Sequence, residues 1–220
     1  MGYINRIGLI SSHPYNGAAN GIWRMDDSLV DEVNENNGSG SNVSFVAGKF
    51  AMAASFNGSN SRATLTNASP INLNSYTLMA WIKTSQSSAG TIFSNFKSNA
   101  TYYYGYSIGI VDGVLRCLMS DGYGHILDAR GSVLINTGNW THVAVKFIDA
   151  DNSVRFYVGG DFDTSSAWSY TIGWNTPHYP AIGARQDLSG SFSEYFNGSI
   201  DDLVIVSGSL ADSVIKATAR

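Results

Sequence analysis

Cleaving a glycosidic bond with retention takes two carboxyl groups about 5–5.5 Å apart, one as nucleophile and one as acid. On a β-strand residues two apart share a face, so acidic residues at alternating positions would supply such a pair. This 220-residue chain has only three glutamates, Glu32, Glu35 and Glu194, and none stands in such an alternation. Its histidines, His13, His125, His142 and His178, are scattered, with neither a Gly-x-Ser-x-Gly elbow nor a His-Glu-x-x-His pair to give them a partner. His142 alternates with Val143, Val145 and Phe147, which puts it on the opposite face of a strand from them. The lone Cys117 has no disulfide partner, and its apolar setting in Val114–Met119 reads as that of a small buried hydrophobe. The expectation is a protein that is not an enzyme.

Aromatic residues offer a different chemistry, because their faces stack on sugar rings and anchor protein interfaces. Tyr102, Tyr103, Tyr104 and Tyr106 cluster at the head of one apolar run. Trp168, Tyr170, Trp174, His178 and Tyr179 crowd a stretch poor in aliphatic residues. Tyr103, Tyr104, Trp168, Trp174, His178 and Tyr179 are therefore the candidate ligand-binding residues. The alternative places aromatics in the core, and it is the reading preferred for Trp23, Trp81 and Trp140.

The elements that must position these side chains read as strands. Helical periodicity is almost absent, and apolar residues alternate over four to eight positions between Gly, Asn, Ser and Asp. Strands are expected over Phe45–Phe50, Met52–Phe56, Arg62–Thr66, Tyr76–Lys83, Thr91–Phe96, Tyr104–Val111, Val114–Met119, His125–Ala129, His142–Ile148, Val154–Val158, Ala181–Ile182 and Gly198–Val206. Asp112-Gly113 between two of them predicts a two-residue hairpin, and Leu210–Ala219 is the one helix-like stretch. The fold class is all-β, a two-sheet antiparallel jelly-roll sandwich.

Residues 1–21 read as an N-terminal extended arm and 22–220 as a single domain, with Asp31–Asn42 a Gly/Ser/Asn-rich loop open to motion. A formal charge of −4 without a run of Lys or Arg excludes a nucleic-acid surface. No 18-residue apolar run is present, so no membrane-inserting helix is expected, and the amino terminus lacks a signal peptide's pattern.

Seven segments, in order, resemble the laminin-G-like jelly-roll family of the concanavalin A-like lectin/glucanase superfamily. They are Ile22–Asp27, Gly48-Lys49-Phe50 with Ala54–Ser59, Tyr76–Lys83, Trp140–Val145, Val154–Gly160, Ala181–Gly183 and Phe196–Ile205. The likeness runs from about Gly21 to Ala217. Gly159, Thr141 and Ala53 or Ala54 depart from the usual residues, which changes details of turns and loops and leaves the implied fold intact.

The resemblance implies two stacked antiparallel sheets with function in the rim loops and the concave face. It also implies Ca²⁺ held by carboxylates and loop carbonyls, at Asp26 or Asp27, the Asn57-Gly58 turn and Asp201 or Asp202. The competing reading leaves Asp201 and Asp202 solvated or accepting backbone N–H bonds.

A chain filled by one such domain, with no leader and a single Cys, is similar to the jelly rolls that decorate bacteriophage capsids and tails. The expected partners are thus a glycan or cell-surface ligand and, through the arm, other virion subunits, with self-association open. The expected location is a virion assembled in the host cytoplasm. The alternative is an extracellular carbohydrate-binding module of a bacterial adhesive or polysaccharide-degrading protein, and a glycoside hydrolase ranks behind both.

Overall fold

The computed structural model describes residues 19–98, 101–175 and 179–220. Seventeen strands among them form two large antiparallel sheets and a small hairpin. The first sheet contains β1 (Ala19–Trp23), β3 (Ser44–Ala47), β4 (Met52–Asn57), β6 (Tyr76–Thr84), β11 (Trp140–Ile148), β12 (Ser153–Val158), β13 (Asp161–Ala167) and β17 (Asn197–Ser207). Its order is β13-β12-β11-β6-β17-β4-β3, with β1 also on β17. The second contains β2 (Gly38–Ser41), β5 (Arg62–Leu65), β7 (Gly90–Ser98), β8 (Tyr103–Val111), β9 (Val114–Asp121), β10 (Ile126–Leu134) and β14 (Ala181–Ile182). Its order is β10-β9-β8-β7-β14-β5-β2. β15 (Arg185–Gln186) and β16 (Phe192–Ser193) pair with each other, and one helix, α1 (Asp212–Thr218), follows β17.

The sandwich is the expected all-β fold, and period-two alternation explains it. Tyr76, Leu78, Ala80 and Ile82 of β6 and Val143, Val145 and Phe147 of β11 face Tyr106, Ile108 and Ile110 of β8 and Leu115, Cys117 and Met119 of β9 across one buried core. Tyr76 and Tyr106 stack at 4.1 Å between the sheets, and Cys117 Sγ lies 3.5 Å from the Tyr76 hydroxyl. Burial pushes the Cys117 thiol up to about 12, which keeps it protonated and unreactive. The expected hairpin also forms, with Asp112 and Gly113 at φ 53° and 78°.

Other details differ from the sequence reading. β2 lies inside the stretch read as an open loop, and the reason is Asp31. This buried carboxylate accepts the backbone N–H groups of Ile22, Val33, Asn34 and Asn36, ordering the turn around itself. β13 carries the polar sequence Asp-Phe-Asp-Thr-Ser-Ser-Ala, which shows little apolar alternation because the strand sits at a sheet edge. β1 begins at Ala19, inside the expected arm, while residues 1–18 of that arm lie outside the described residues. Among the described residues no helix is long and apolar enough to cross a membrane.

The outward face of the first sheet is also covered. Ile215 of α1 packs with Ile22, Met79, Ala144, Tyr157, Val204 and Val206. Lys146, buried on that face, donates to Asp212 Oδ1 at 2.6 Å and to the Leu210 carbonyl at 3.0 Å, and the Tyr157 hydroxyl donates to the same Asp212 oxygen. His142 ends the strip, its Nε2 3.3 Å from Thr218 Oγ1 and its ring edge-on to Trp81. His142 Nδ1 is buried without a hydrogen-bond partner.

Burial lowers the His142 pKa from its ordinary 6.5 to about 4, so the folded chain resists a proton that the unfolded chain accepts. Its contribution to stability is complete above pH 6.5 and is lost as pH falls toward 4, at up to about 1.4 kcal/mol per pH unit. Urea unfolding at pH 7.0 and 4.5 should show the wild type losing roughly 2 kcal/mol more than His142→Gln between the two conditions. Equal losses would mean that the ring titrates freely.

Candidate functional site

At one end of the sandwich the head of β8, the turn after β9 and the segment 168–175 lie side by side. Tyr104 pairs with Asp121 across the strands. Gly173 bonds both ways into this corner, donating to Ser120 O at 2.9 Å and accepting from Gly105 N at 2.8 Å. The approach requires glycine, because a Cβ at position 173 would stand 2.1 Å from the Asp121 carbonyl oxygen.

The turn Asp121-Gly122-Tyr123-Gly124-His125 is built around a carboxylate. Asp121 Oδ1 accepts the backbone N–H groups of Tyr123 at 2.8 Å and His125 at 3.1 Å, and Oδ2 lies 2.6 Å from His125 Nδ1. Burial alone would raise the Asp121 pKa, but the His125 bond and the two backbone bonds outweigh it and hold the carboxyl below its usual range. Gly122 takes φ 82°, and its Cα side lies against the Tyr104 ring. The turn carries Tyr123 outward, 91% exposed, and the His125 ring stacks on Tyr170 at 3.8 Å and 15°. Tyr170 rests edge-on against Trp168, and Tyr102 stacks on Tyr104 at 6.4 Å. Tyr102, Tyr104, Tyr123, His125 and Tyr170 thus form an aromatic row along the rim, of which all but Tyr104 are well exposed.

Against this row the sequence-predicted binding residues separate. Tyr104 lies within it. Tyr103 points the other way, against Phe96, and Trp174 packs edge-on against Tyr106 while half-buried. Trp168 is a correction: its ring belongs to the core, where the turn into segment 168–175 tucks it under Tyr170. Tyr179 is exposed at the far end of the segment, and His178 lies outside the described residues. Trp23 is buried in the core as expected, Trp81 is buried instead on the outward face of the first sheet between His142 and Lys49, and Trp140 is half-buried. Tyr123, His125 and Asp121 were not singled out from the sequence; a tyrosine between two glycines, with an Asp two residues before it, is the signal that marks them.

The expected metal ligands also divide. Asp26 and Asp201 meet on one loop, where Asp26 Oδ1 accepts Met52 N and Asp201 Oδ2 accepts Phe50 N at 2.9 Å. Four non-glycine residues with positive φ, Met25, Asp27, Ala51 and Asp202, surround this corner. Burial, with added repulsion from Asp202 and Asp26, raises Asp201 to about 7 despite the backbone bonds, and its Oδ1 is buried without a hydrogen-bond partner. Such an orphaned carboxylate oxygen beside a second carboxylate suits a hard cation. Asn57 does not join them: it pairs with Asn197, four residues along β17 from Asp201, or roughly 13 Å at about 3.3 Å per residue. Its side-chain oxygen is taken by Ser59, Asn60 and Ser61. Among the described residues no three acidic, His or Cys side chains gather closely enough to hold a metal by themselves, so backbone carbonyls would have to complete the set.

Two of the glutamates are engaged by arginines. Glu32 is bound by Arg24, and Glu194 is engaged by Arg185 at 2.9 Å and Arg116 at 3.5 Å, with Asp128 on the far side of Arg116.

Comparison with known proteins agrees with this architecture. A laminin-G-type family model, described as the concanavalin A-like lectin/glucanases superfamily, matches residues 57–216. No curated protein sequence matches the chain. Domain 4 of the extracellular arabinanase AbnA of Geobacillus stearothermophilus, solved with arabinotriose, superposes with a TM-score of 0.71 at 24% identity, covering 92% of this chain and 98% of that one. The binding domain of Paraclostridial Mosquitocidal Protein 1 gives 0.72 at 17%, covering 90% and 51%. Botulinum neurotoxin type C, whose cell entry depends on two ganglioside molecules, gives 0.71 at 16%, covering 93% and 51%. The chain therefore spans about half the length of the toxin chains it matches.

Proposed function

The chain belongs to the concanavalin A-like lectin/glucanases superfamily, and from that premise we propose that it is a non-catalytic module that grips a glycan or cell-surface ligand on its aromatic rim. The observation that carries the reading is Tyr123, a large aromatic ring held in solvent by a turn whose backbone is fixed from beneath by Asp121. A fold that only needed to be soluble gains nothing from holding such a ring outward, whereas a ring carried on an ordered backbone costs no loop ordering when it stacks. The ligands of the structural relatives, arabinotriose and gangliosides, support a sugar. On a glycan array followed by calorimetry, Tyr123→Ala and Tyr170→Ala should each weaken binding about ten-fold, or ~1.4 kcal/mol, with little change in melting temperature. Binding indifferent to both changes would move the site elsewhere.

Calcium belongs to the same reading, held by Asp26 and Asp201 with loop carbonyls rather than by Asn57. When bound, the ion would supply positive charge to a corner where acidic residues crowd, and so stabilise the loop that carries Asp26. Adding Ca²⁺ to chelated protein at a hundred-fold excess over its dissociation constant should stabilise the fold by about 2.7 kcal/mol, raising the melting temperature by roughly 5–11 °C. Asp201→Asn should abolish the rise. An unchanged melting temperature in the wild type would remove the ion.

We place the module on a bacteriophage virion, with the N-terminal arm as its attachment to other subunits; the support is the sequence resemblance to virion jelly rolls. Deleting residues 1–18 spares β1 and should abolish incorporation into particles, read by mass spectrometry of purified virions, while leaving glycan binding intact. Undiminished incorporation would end the arm's role. An extracellular module of a polysaccharide-degrading or adhesive protein is the second reading, favoured by the near end-to-end superposition on the arabinanase domain.

A further inference from the structure

Two contacts determine which way His125 presents its nitrogens. Asp121 Oδ1 is committed to two backbone N–H groups, and Oδ2 faces His125 Nδ1 at 2.6 Å. Asp121 is held below the usual carboxyl range, burial's upward push being outweighed by these bonds, so it is an acceptor only. The proton between them must therefore sit on Nδ1. In the neutral ring that leaves Nε2 as a bare acceptor. The imidazole is half exposed, with its side chain at 50%; stacking on Tyr170 fixes the plane of the ring, and the bond to Asp121 selects the flip that places Nδ1 inward.

We propose that His125 is the polar anchor of the rim site, its Nε2 accepting a hydrogen bond from a ring hydroxyl of a neutral glycan whose apolar face lies on Tyr123. Asp121 is the positioning residue that sets the tautomer. The inference rests on the rim reading above and narrows it to a ligand class. Stacking alone takes any flat apolar face, but a lone pair fixed beside it selects a hydroxyl donor and disfavours a carboxylate, which brings only lone pairs of its own.

Asp121→Asn tests the tautomer directly. The two backbone N–H groups still require an oxygen at the Oδ1 position, so the amide NH₂ must take the Oδ2 position and face Nδ1. The proton then moves to Nε2, and the anchor becomes a donor while the turn keeps its shape. Long-range proton–nitrogen NMR at pH 8 should find Nδ1 protonated in the wild type and Nε2 protonated in Asp121→Asn. His125→Phe keeps the stack on Tyr170 and deletes the acceptor.

The probes are arabinotriose, cellohexaose and maltohexaose as neutral ligands and trigalacturonate as the acidic one, titrated into the full chain at pH 8. The wild type should prefer a neutral sugar, and His125→Phe should bind that sugar at least ten-fold more weakly; Asp121→Asn, whose Nε2–H meets a carboxylate as readily as a hydroxyl oxygen, should shift the preference toward trigalacturonate at least ten-fold. A wild type protonated on Nε2, or one that prefers trigalacturonate, overturns the proposal. Loss confined to Tyr123→Ala, with Asp121→Asn and His125→Phe binding as the wild type does, overturns the anchor and leaves the rim standing. No loss in any of the three overturns both.

Discussion

Everything in this molecule follows from a strand's having two faces when a core can use only one. The sandwich buries the inward residues of β6, β8, β9, β11 and β17 against one another, and that shared interior fixes register, because a slip of one residue would send Tyr76 or Phe147 into water. The outward faces must then be dealt with separately. On the first sheet α1 covers an apolar strip and supplies Asp212 to a lysine that would otherwise be buried unpaired. On the second, Arg185 reaches over Phe96 and shares Glu194 with Arg116, so the β15–β16 hairpin caps that face with ion pairs and stacked guanidinium groups. The rim is left uncovered as well, and the exposed aromatic row lies there.

The loops share a second device. Asp31, Asp121 and Asp187 each accept backbone N–H groups from the turn that follows them, and Asp201 does so from a distant loop. A carboxylate that collects several such donors does for an irregular turn what a ladder partner does for a strand. This explains how segments rich in Gly, Ser and Asn hold fixed shapes, and why the Tyr123 turn can present a ring without a packed body beneath it.

The fold was legible because alternation is a local signal. Nearly all the strands with apolar inward faces were placed within a few residues, and the Asp112-Gly113 hairpin followed from two residues. β2 and β13 were not legible, since Gly-Ser-Gly-Ser and a polar edge strand draw their pairing from neighbours that the local sequence does not show. The rim was legible in outline only. Aromatic crowding near 102–106 and 168–179 pointed to the end of the sandwich where the exposed row lies, but crowding does not distinguish Trp168, which turns into the core, from Tyr170, which turns out because the chain leaves the strand at Ala167 and bends. His125 was read as the first residue of a strand, and its meaning depends on Asp121, four residues away across a turn.

One contact at the side of the sandwich bears on how its open edges meet another chain. Asp163 of β13 accepts the backbone N–H groups of Ser132 and Val133 on β10, so the outermost strand of one sheet is tied to the outermost strand of the other. Donors that would otherwise await an incoming strand are occupied by a charged side chain. A strand arriving at that seam finds those two donors already taken and a negative charge in its path.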